Sequence, residues 1–344
     1  MSSWNVAVLG VTGAVGQEFL GLLEERKFPV GVLKPLASAK SAGSKIRFAG
    51  REIAIEEARE DSFQGIDLVL SSAGGSVSKK LAAHAVRAGA LVVDNTSAFR
   101  MDPEVPLVVP EINPEDIARH KGIIANPNCS TIIMLVPVSP LRQLAKIRRI
   151  VVSTYQSASG AGAKAMRELE NQSREILEGK APTRQVFPHQ IAFNLFSHNS
   201  AVDPETGFCE EETKMINETA KIFHEPVSVF PTCVRVPVMR AHSESIWVEF
   251  EQEVSLEAVR KVFEKAPGLK LLDDRQKNHF PMPIEASGKD DILVGRLRRD
   301  PSNPKALSLF VSGDQLRKGA ALNAVQIAEI ALQKRPAAKG SSAL

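Results

Sequence analysis

The sequence predicts an α/β chain: a doubly wound parallel sheet first, then an α+β domain with a mostly antiparallel sheet. Three observations carry this. Strand-like and helix-like runs alternate through the first 130 residues, the pattern left by helices that cross between parallel strands. The first strand run ends in a glycine turn, Gly10-Val11-Thr12-Gly13-Ala14-Val15-Gly16, that opens a helix. After Cys129 the alternation stops, and long strands and amphipathic helices follow in another order.

The elements follow in chain order. Trp4 to Leu9 is an apolar strand, and Gln17 to Leu23 has helical spacing. Between them the glycines fall three residues apart, a variant of the dinucleotide fingerprint. Gly10 permits the tight turn, Gly13 lets a pyrophosphate approach the backbone, and Gly16 lets the helix pack on the sheet. With a strand before and a helix after, the turn reads as the cofactor site of a Rossmann-type sheet. Thr12, Ala14 and Val15 belong to the same loop. Val30 to Ala37 is the second strand, and Ile46 to Ile55 is a hairpin around Ala49-Gly50. Ile66 to Ser72 is a buried strand that ends in Ala73-Gly74, a second βα turn facing the cofactor. Ser78 to Ala88 is helical, and Ala90 to Asp94, Leu107 to Val109 and Gly122 to Ala125 are strands. An NAD site places an acid after the second strand to bind the ribose. Here no Asp or Glu occurs from Lys27 to Arg51, and Ser38, Lys40 and Ser41 stand at that place. Hydroxyls and a cation suit a 2′-phosphate, so the pattern favours NADP.

The segment Ile124 to Thr131 turns at Pro127-Asn128 and sets Cys129 at the head of an apolar helix start. Partial positive charge at a helix N-terminus favours thiolate, the nucleophilic form. A lone cysteine is otherwise a small core hydrophobe. The glycine turn and a distant histidine, His242, favour the catalytic reading. Thiolate, imidazole and nicotinamide together suggest aldehyde chemistry through a thioester. Beyond Cys129, strands are expected over Ile147–Tyr155, Val227–Val238, Ser245–Glu253 and Ala306–Ser312. Helices are expected over Ala163–Leu177, Glu210–Phe223, Leu256–Ala266 and Leu316–Leu332, the last packing back on the first domain. Residues 180–208 read as loop. The expected boundaries are 1–128 for the cofactor domain, 129–315 for the catalytic domain, 316–335 for the returning helix and 336–344 for a frayed polar tail.

Composition narrows the function. The 344 residues carry 43 Lys and Arg against 40 Asp and Glu, a net charge of +3 too small to argue for nucleic acid or membrane. No run is long enough to span a bilayer, and the start, Met1 to Asn5, lacks the basic region of a secretory leader. Three widely spaced cysteines suit a reducing cytoplasm. The seven histidines do not fall at metal-ligand spacing, so no catalytic metal is expected.

Several motifs together resemble bacterial aspartate-semialdehyde dehydrogenases over nearly the whole chain. They are the Gly10–Gly16 turn, Ser97-Ala98-Phe99-Arg100, Asn126-Pro127-Asn128-Cys129-Ser130-Thr131, Tyr155 to Gly162, Glu211-Glu212-Thr213-Lys214, the Arg235–His242 spacing, and Gly313 to Ala321. The resemblance implies a Rossmann domain with a catalytic and dimerisation α+β domain. It also implies NADPH-dependent reduction of aspartyl β-phosphate to the semialdehyde in lysine (diaminopimelate), threonine, isoleucine and methionine biosynthesis. Cys129 would be the nucleophile and His242 its acid–base partner. Gln156 would orient the substrate, and Asn128 would fix the turn and donate toward the thioester oxygen. Arg235 would clamp the α-carboxylate and Glu211 the α-ammonium group, while Arg100 and Lys214 would hold phosphate. Ser159, Gly160 and Gln315 would meet the nicotinamide end, Gln315 standing where many relatives have Asn. A homodimer, or a tetramer built from it, is the implied assembly. N-acetyl-γ-glutamyl-phosphate reductase is the nearest rival reading, but its substrate offers no ammonium to Glu211. A non-catalytic Rossmann protein is the rival from another class, and retention of Cys129, Gln156, Arg235 and His242 argues against it.

Overall fold

The computed structural model describes residues 3–333, so the expected tail, 336–344, lies outside the described residues. Contacts divide the described residues into two units: 3–110, 114–126 and 323–333 belong to the first, 111–113 and 127–322 to the second.

In the first unit, β1 (Trp4–Leu9), α1 (Ala14–Glu25) and β2 (Val30–Ala37) are followed by a hairpin, β3 (Lys45–Phe48) and β4 (Arg51–Ala54). Then come β5 (Glu56–Glu57), β6 (Leu68–Ser71), α2 (Gly75–Arg87), β7 (Leu91–Asp94) and β8 (Ile123–Ala125). The sheet order is β5-β2-β1-β6-β7-β8, and every pairing is parallel. Chain order reverses direction between β1 and β6, the switch point at which such sheets bind ligands. Val6, Ala7 and Val8 of β1 and Leu68 and Leu70 of β6 are fully buried, as strands covered on both faces require. Leu107–Val109, expected as a strand, makes only one bridge, Leu107 to Ala125.

The second unit opens with α3 (Cys129–Val138), β9 (Ile147–Gln156), α4 (Ala163–Leu177), β10 (Phe196–Ser197) and α5 (Glu210–Phe223). It continues with β11 (Ser228–Arg235), β12 (His242–Phe250), α6 (Leu256–Phe263), β13 (Leu269–Leu271), α7 (Pro283–Ala286), β14 (Ile292–Asp300) and β15 (Asn303–Gly313). The mixed sheet runs β10-β11-β9-β12-β15-β14-β13, with β9–β11 and β13–β14 parallel and the rest antiparallel. One face of β9, β11 and β12 is buried through Ile150, Val152, Thr154, Val229, Cys233, Ile246 and Val248. The other shows Tyr155 and Phe230, both exposed, with Trp247 half-buried. The long 180–192 loop is ordered by two buried side chains of α4. The Glu168 carboxylate accepts from the N–H groups of Gln185, Val186 and Phe187, and Gln172 Oε1 accepts from those of Ile191 and Ala192.

The expected last helix begins later than its apolar run. Residues Arg317–Ala321 form a π-helical turn, and α8 spans Leu322–Gln333. The turn stays with the second unit, where Lys318 Nζ lies 2.6 Å from Glu111 Oε2 with both side chains buried. Helix α8 belongs to the first unit. There Asn323 Nδ2 donates to Val108 O at 2.9 Å and to Asn126 Oδ1 at 2.7 Å, and Glu329 receives Arg26 through two hydrogen bonds.

Candidate active site

In the first unit the glycine turn is shaped as its sequence requires. Gly10 has φ +87°, and a Cβ there would come within 2.7 Å of Ser72 O. A Cβ on Gly16 would overlap the Gly10 carbonyl. Thr12 and Gly13 are exposed, and Ala14 and Val15 are half-buried in the first turn of α1. Gly13 caps α1 and Gly74, at φ +91°, caps α2; neither cap has a side-chain acceptor, and neither first turn has an acid. Both helix starts, including Ala73 before the second, therefore present N–H groups to an anion. A dinucleotide's pyrophosphate fits this cradle. Ser38 caps a short 3₁₀ turn, Ala39–Ser41, directly after β2. Ser38 and Lys40 are exposed, and β5 lies alongside with Glu56 paired to Lys34 at 3.3 Å. Arg100 is buried on the same unit, with Nε on Asn126 O and NH2 on Asn95 O.

The second unit gathers the remaining polar residues at one end of three adjacent strands. Arg235 is the last residue of β11 and pairs in register with Gln156, the last of β9. Ser243 pairs with Tyr155 on the other side, which brings His242, the first residue of β12, beside Gln156. Inward alternation on each strand points all three to the buried face. His242 thus lies on a strand, not in the connecting segment expected from sequence. Ala241 before it has φ +72°, in the left-handed region, and its N–H is held by Gln315 Oε1 at 2.9 Å.

Asn128 caps α3: its Oδ1 accepts from Ser130 N at 2.9 Å and Thr131 N at 3.2 Å. Its amide nitrogen donates to Glu211 Oε1 at 2.8 Å, and its backbone N–H donates to Glu218. Cys129 is the first helical residue, half-buried, and acts electrostatically on Arg235. A Cβ on Gly319 would sit 3.1 Å from the Cys129 Cβ, so that glycine lets the π turn close over the thiol. Gln156 donates to Ser130 Oγ at 2.8 Å and to Glu211 Oε1 at 3.1 Å. Lys214 Nζ lies 3.4 Å from the other Glu211 oxygen. Burial pushes the Glu211 carboxyl up, but His198, Lys214 and the amides of Asn128 and Gln156 hold it down, at about 2. Glu211 is therefore a buried anion.

Arg235 donates from NH1 to Ser157 O at 2.8 Å and from NH2 to His198 Nε2 at 2.9 Å. His242 accepts at Nδ1 from the Ser157 N–H, 3.0 Å away. A backbone N–H only donates, so the neutral ring carries its proton on Nε2. Burial, with the Arg235 charge, holds the His242 pKa well below the ordinary value. Ser157 Oγ also meets Nδ1 and continues to Ser159 Oγ, which receives Gln315 Nε2. Gln315 thus braces Ser159 and Ala241 together. Among the described residues, Gln156 Oε1, Arg235 Nε and His242 Nε2 are among the buried atoms that keep no hydrogen-bond partner. Sequence reasoning missed His198 and Ser157. Nothing marks His198, which sits in a polar loop, and Ser157 is marked only as part of the Tyr155–Gly162 motif, with no role attached. Among the described residues no group of three or more His, Cys, Asp or Glu is placed to hold a metal.

A phosphate-binding nucleotide sheet joined to a cysteine-bearing α+β unit with buried ionic groups defines an oxidoreductase of the semialdehyde dehydrogenase class. Residues 5–120 match the family model described as "Semialdehyde dehydrogenase, NAD binding domain", and 138–318 match "Semialdehyde dehydrogenase, dimerisation domain". The chain belongs to the aspartate-semialdehyde dehydrogenase family. It is 57% identical to the aspartate-semialdehyde dehydrogenase of Synechocystis over 96% of this chain and 98% of that one. It is 46% identical to the Bacillus subtilis enzyme over 94% of this chain and 96% of the other. A crystal structure of aspartate semialdehyde dehydrogenase II complexed with ASA, from Vibrio cholerae, matches with TM-score 0.94 at 44% identity, covering 97% of this chain and 99% of that one.

Gly160 gives this site a sensitive test. A Cβ there would lie 3.0 Å from His242 Cε1, 3.1 Å from its Nε2 and 3.2 Å from Arg235 NH1. Gly160→Ala is expected to lower kcat/KM about tenfold, because His242 and Arg235 must both shift slightly to make room for the methyl group. Thermal unfolding should move by only a few degrees. Unchanged kinetics would show that the two side chains yield freely.

Proposed function

We propose that this chain is a cytoplasmic enzyme that reduces L-aspartyl 4-phosphate to L-aspartate 4-semialdehyde with NADPH, releasing phosphate through a thioester on Cys129. The observation that carries the reading is the trio of unpartnered buried atoms, Gln156 Oε1, Arg235 Nε and His242 Nε2, set beside the Glu211 anion. Arg235 keeps Nε–H for a carboxylate, and Glu211 suits an ammonium group. Both charges of a free α-amino acid are thereby met. An N-acetylated substrate would offer Glu211 no ammonium group, which disfavours the glutamyl alternative.

Cys129 thiolate attacks the acyl carbon, the C–O bond to phosphate breaks, and a thioester results. Arg100 and Lys214 are assigned to the phosphate as it leaves. His242 Nε2–H donates to the oxygen that gains charge, and the Asn128 cap holds the helix start that favours the thiolate. When bound, the nicotinamide supplies the hydride that turns the thioester into the aldehyde. The α1 and α2 turns would hold its pyrophosphate, Ser159, Gly160 and Gln315 would flank its nicotinamide end, and Ser38, Lys40 and Ser41 would read its 2′-phosphate. Exposed Tyr155 and Phe230 on the outer face of the mixed sheet support pairing with a second copy there. No helix among the described residues is long and apolar enough to cross a membrane.

The test follows absorbance at 340 nm with semialdehyde, inorganic phosphate and NADP or NAD. NADP-dependent turnover that requires phosphate is expected, and its absence would sink the reading. Lys40→Ala should weaken NADP more than NAD, because only NADP offers it a phosphate. Equal loss with both cofactors would remove Lys40 from the 2′-phosphate site.

A further inference from the structure

His198 lies in the loop after β10, half-buried, in no motif of the chain. It stands between the two groups assigned to the substrate's charges. Its Nε2 is 2.9 Å from Arg235 NH2, and a guanidinium can only donate, so Nε2 is the acceptor. On its other side the ring meets Ser200 twice through Nδ1, 3.0 Å from Oγ and 3.3 Å from the backbone N–H. That same hydroxyl oxygen accepts from the Glu211 backbone N–H at 3.3 Å. A continuous chain therefore runs from Arg235 through His198 and Ser200 to the first turn of α5, where Glu211 begins its reach into the site. Burial holds the His198 pKa down at about 4 against the pull of Glu211, with Arg235 and Lys214 adding to the lowering. The ring is accordingly neutral at working pH and able to accept from Arg235. The guanidinium has a second anchor in Ser157 O, but one hydrogen bond leaves it free to pivot. Two anchors fix its plane, and so fix the direction of the unpartnered Nε–H.

We propose that His198 is a specificity-determining positioning residue: bridging Arg235 to Ser200 and Glu211, it sets the spacing between carboxylate clamp and ammonium acceptor, so that the site selects α-amino acids carrying both charges. The inference rests on the aspartyl reading above. A ligand with both charges gains from the bracket twice, because each end is already placed when the other binds. A ligand with only the carboxylate can follow a pivoting Arg235 and gains little.

The experiment compares L-aspartate semialdehyde with succinate semialdehyde, which differs only in lacking the ammonium group. Wild type, His198→Leu and His198→Gln are assayed with NADP and phosphate, with thermal unfolding recorded for each. His198→Leu should raise KM for L-aspartate semialdehyde about tenfold, the worth of one hydrogen bond to a charged group. Its kcat should fall less than about threefold, and KM for phosphate should stay within about twofold. The preference for the amino substrate in kcat/KM should drop about tenfold. His198→Gln keeps an acceptor within reach of Arg235 and should recover most of that preference, even if the leucine variant folds poorly. An unchanged preference in a folded His198→Leu, or a folded glutamine variant no better than leucine, overturns the proposal. So does a loss confined to kcat and thermal stability, which marks a purely structural residue. Wild type that shows no preference for the amino substrate overturns the aspartyl reading itself, and the proposal with it.

Discussion

Cys129→Ser is expected to reduce turnover by at least ~10⁴-fold, as removal of an enzyme's nucleophile does. The substitution is nearly isosteric at the first residue of α3, and the Asn128 cap that shapes the turn does not depend on sulfur. The fold and NADP binding should therefore persist. What is lost is the thiolate. A serine hydroxyl stays protonated at neutral pH, and the neutral His242 already carries a proton on the nitrogen facing the site. No base is left to activate it. The check is steady-state kinetics on protein made in a host without its own enzyme, with cofactor affinity measured by NADPH fluorescence. Substantial residual activity would end the thioester mechanism. Lost NADPH affinity would mean that Cys129 holds the fold as well.

Arg235→Lys should also be damaging despite retaining the charge. Arg235 is 3% exposed, and its NH1 and NH2 are already held by Ser157 O and His198 Nε2. Nε–H remains for the substrate. One ammonium group cannot satisfy both anchors and also offer a planar fork. A fall in kcat/KM of about 100-fold is expected, close to ~3 kcal/mol. KM should rise because the carboxylate is held less well, and kcat should fall because the acyl carbon is misplaced. Kinetics close to wild type would reduce Arg235 to a structural ion.

Much of this was legible in the sequence where periodicity and local chemistry agree. Val30–Ala37, Ala163–Leu177 and Glu210–Phe223 form the elements expected, to the residue. The glycine turn and Cys129 at a helix start were legible because each depends on neighbours in sequence. Strand β14 was not. Arg296, Arg298 and Arg299 break its apolar pattern, Arg296 has φ +51°, and its register with β15 shifts between Gly295 and Arg298. His242 was placed in a connection, although strand pairing starts at that residue. Pairing is set by Gly313 on β15, which no local pattern reveals. His198 was invisible for the same reason: its partner is 37 residues away. The terminal helix was read one turn early, since apolarity alone does not distinguish the π turn at Arg317–Ala321 from the α-helix after it.

The membership of α8 in the first unit has a consequence in time. The ribosome completes β1 to β8 well before it makes the helix that carries Asn323 and Glu329 to that unit. Between Asn126 and Asn323 come roughly 200 residues of the other unit. At about 5–20 residues per second their synthesis lasts on the order of 10–40 seconds. For that interval the nascent sheet waits without the apolar helix whose Val325, Ile327 and Ala328 end fully buried. A chain released early, even one with every site residue in place, lacks the last piece of its nucleotide-binding unit.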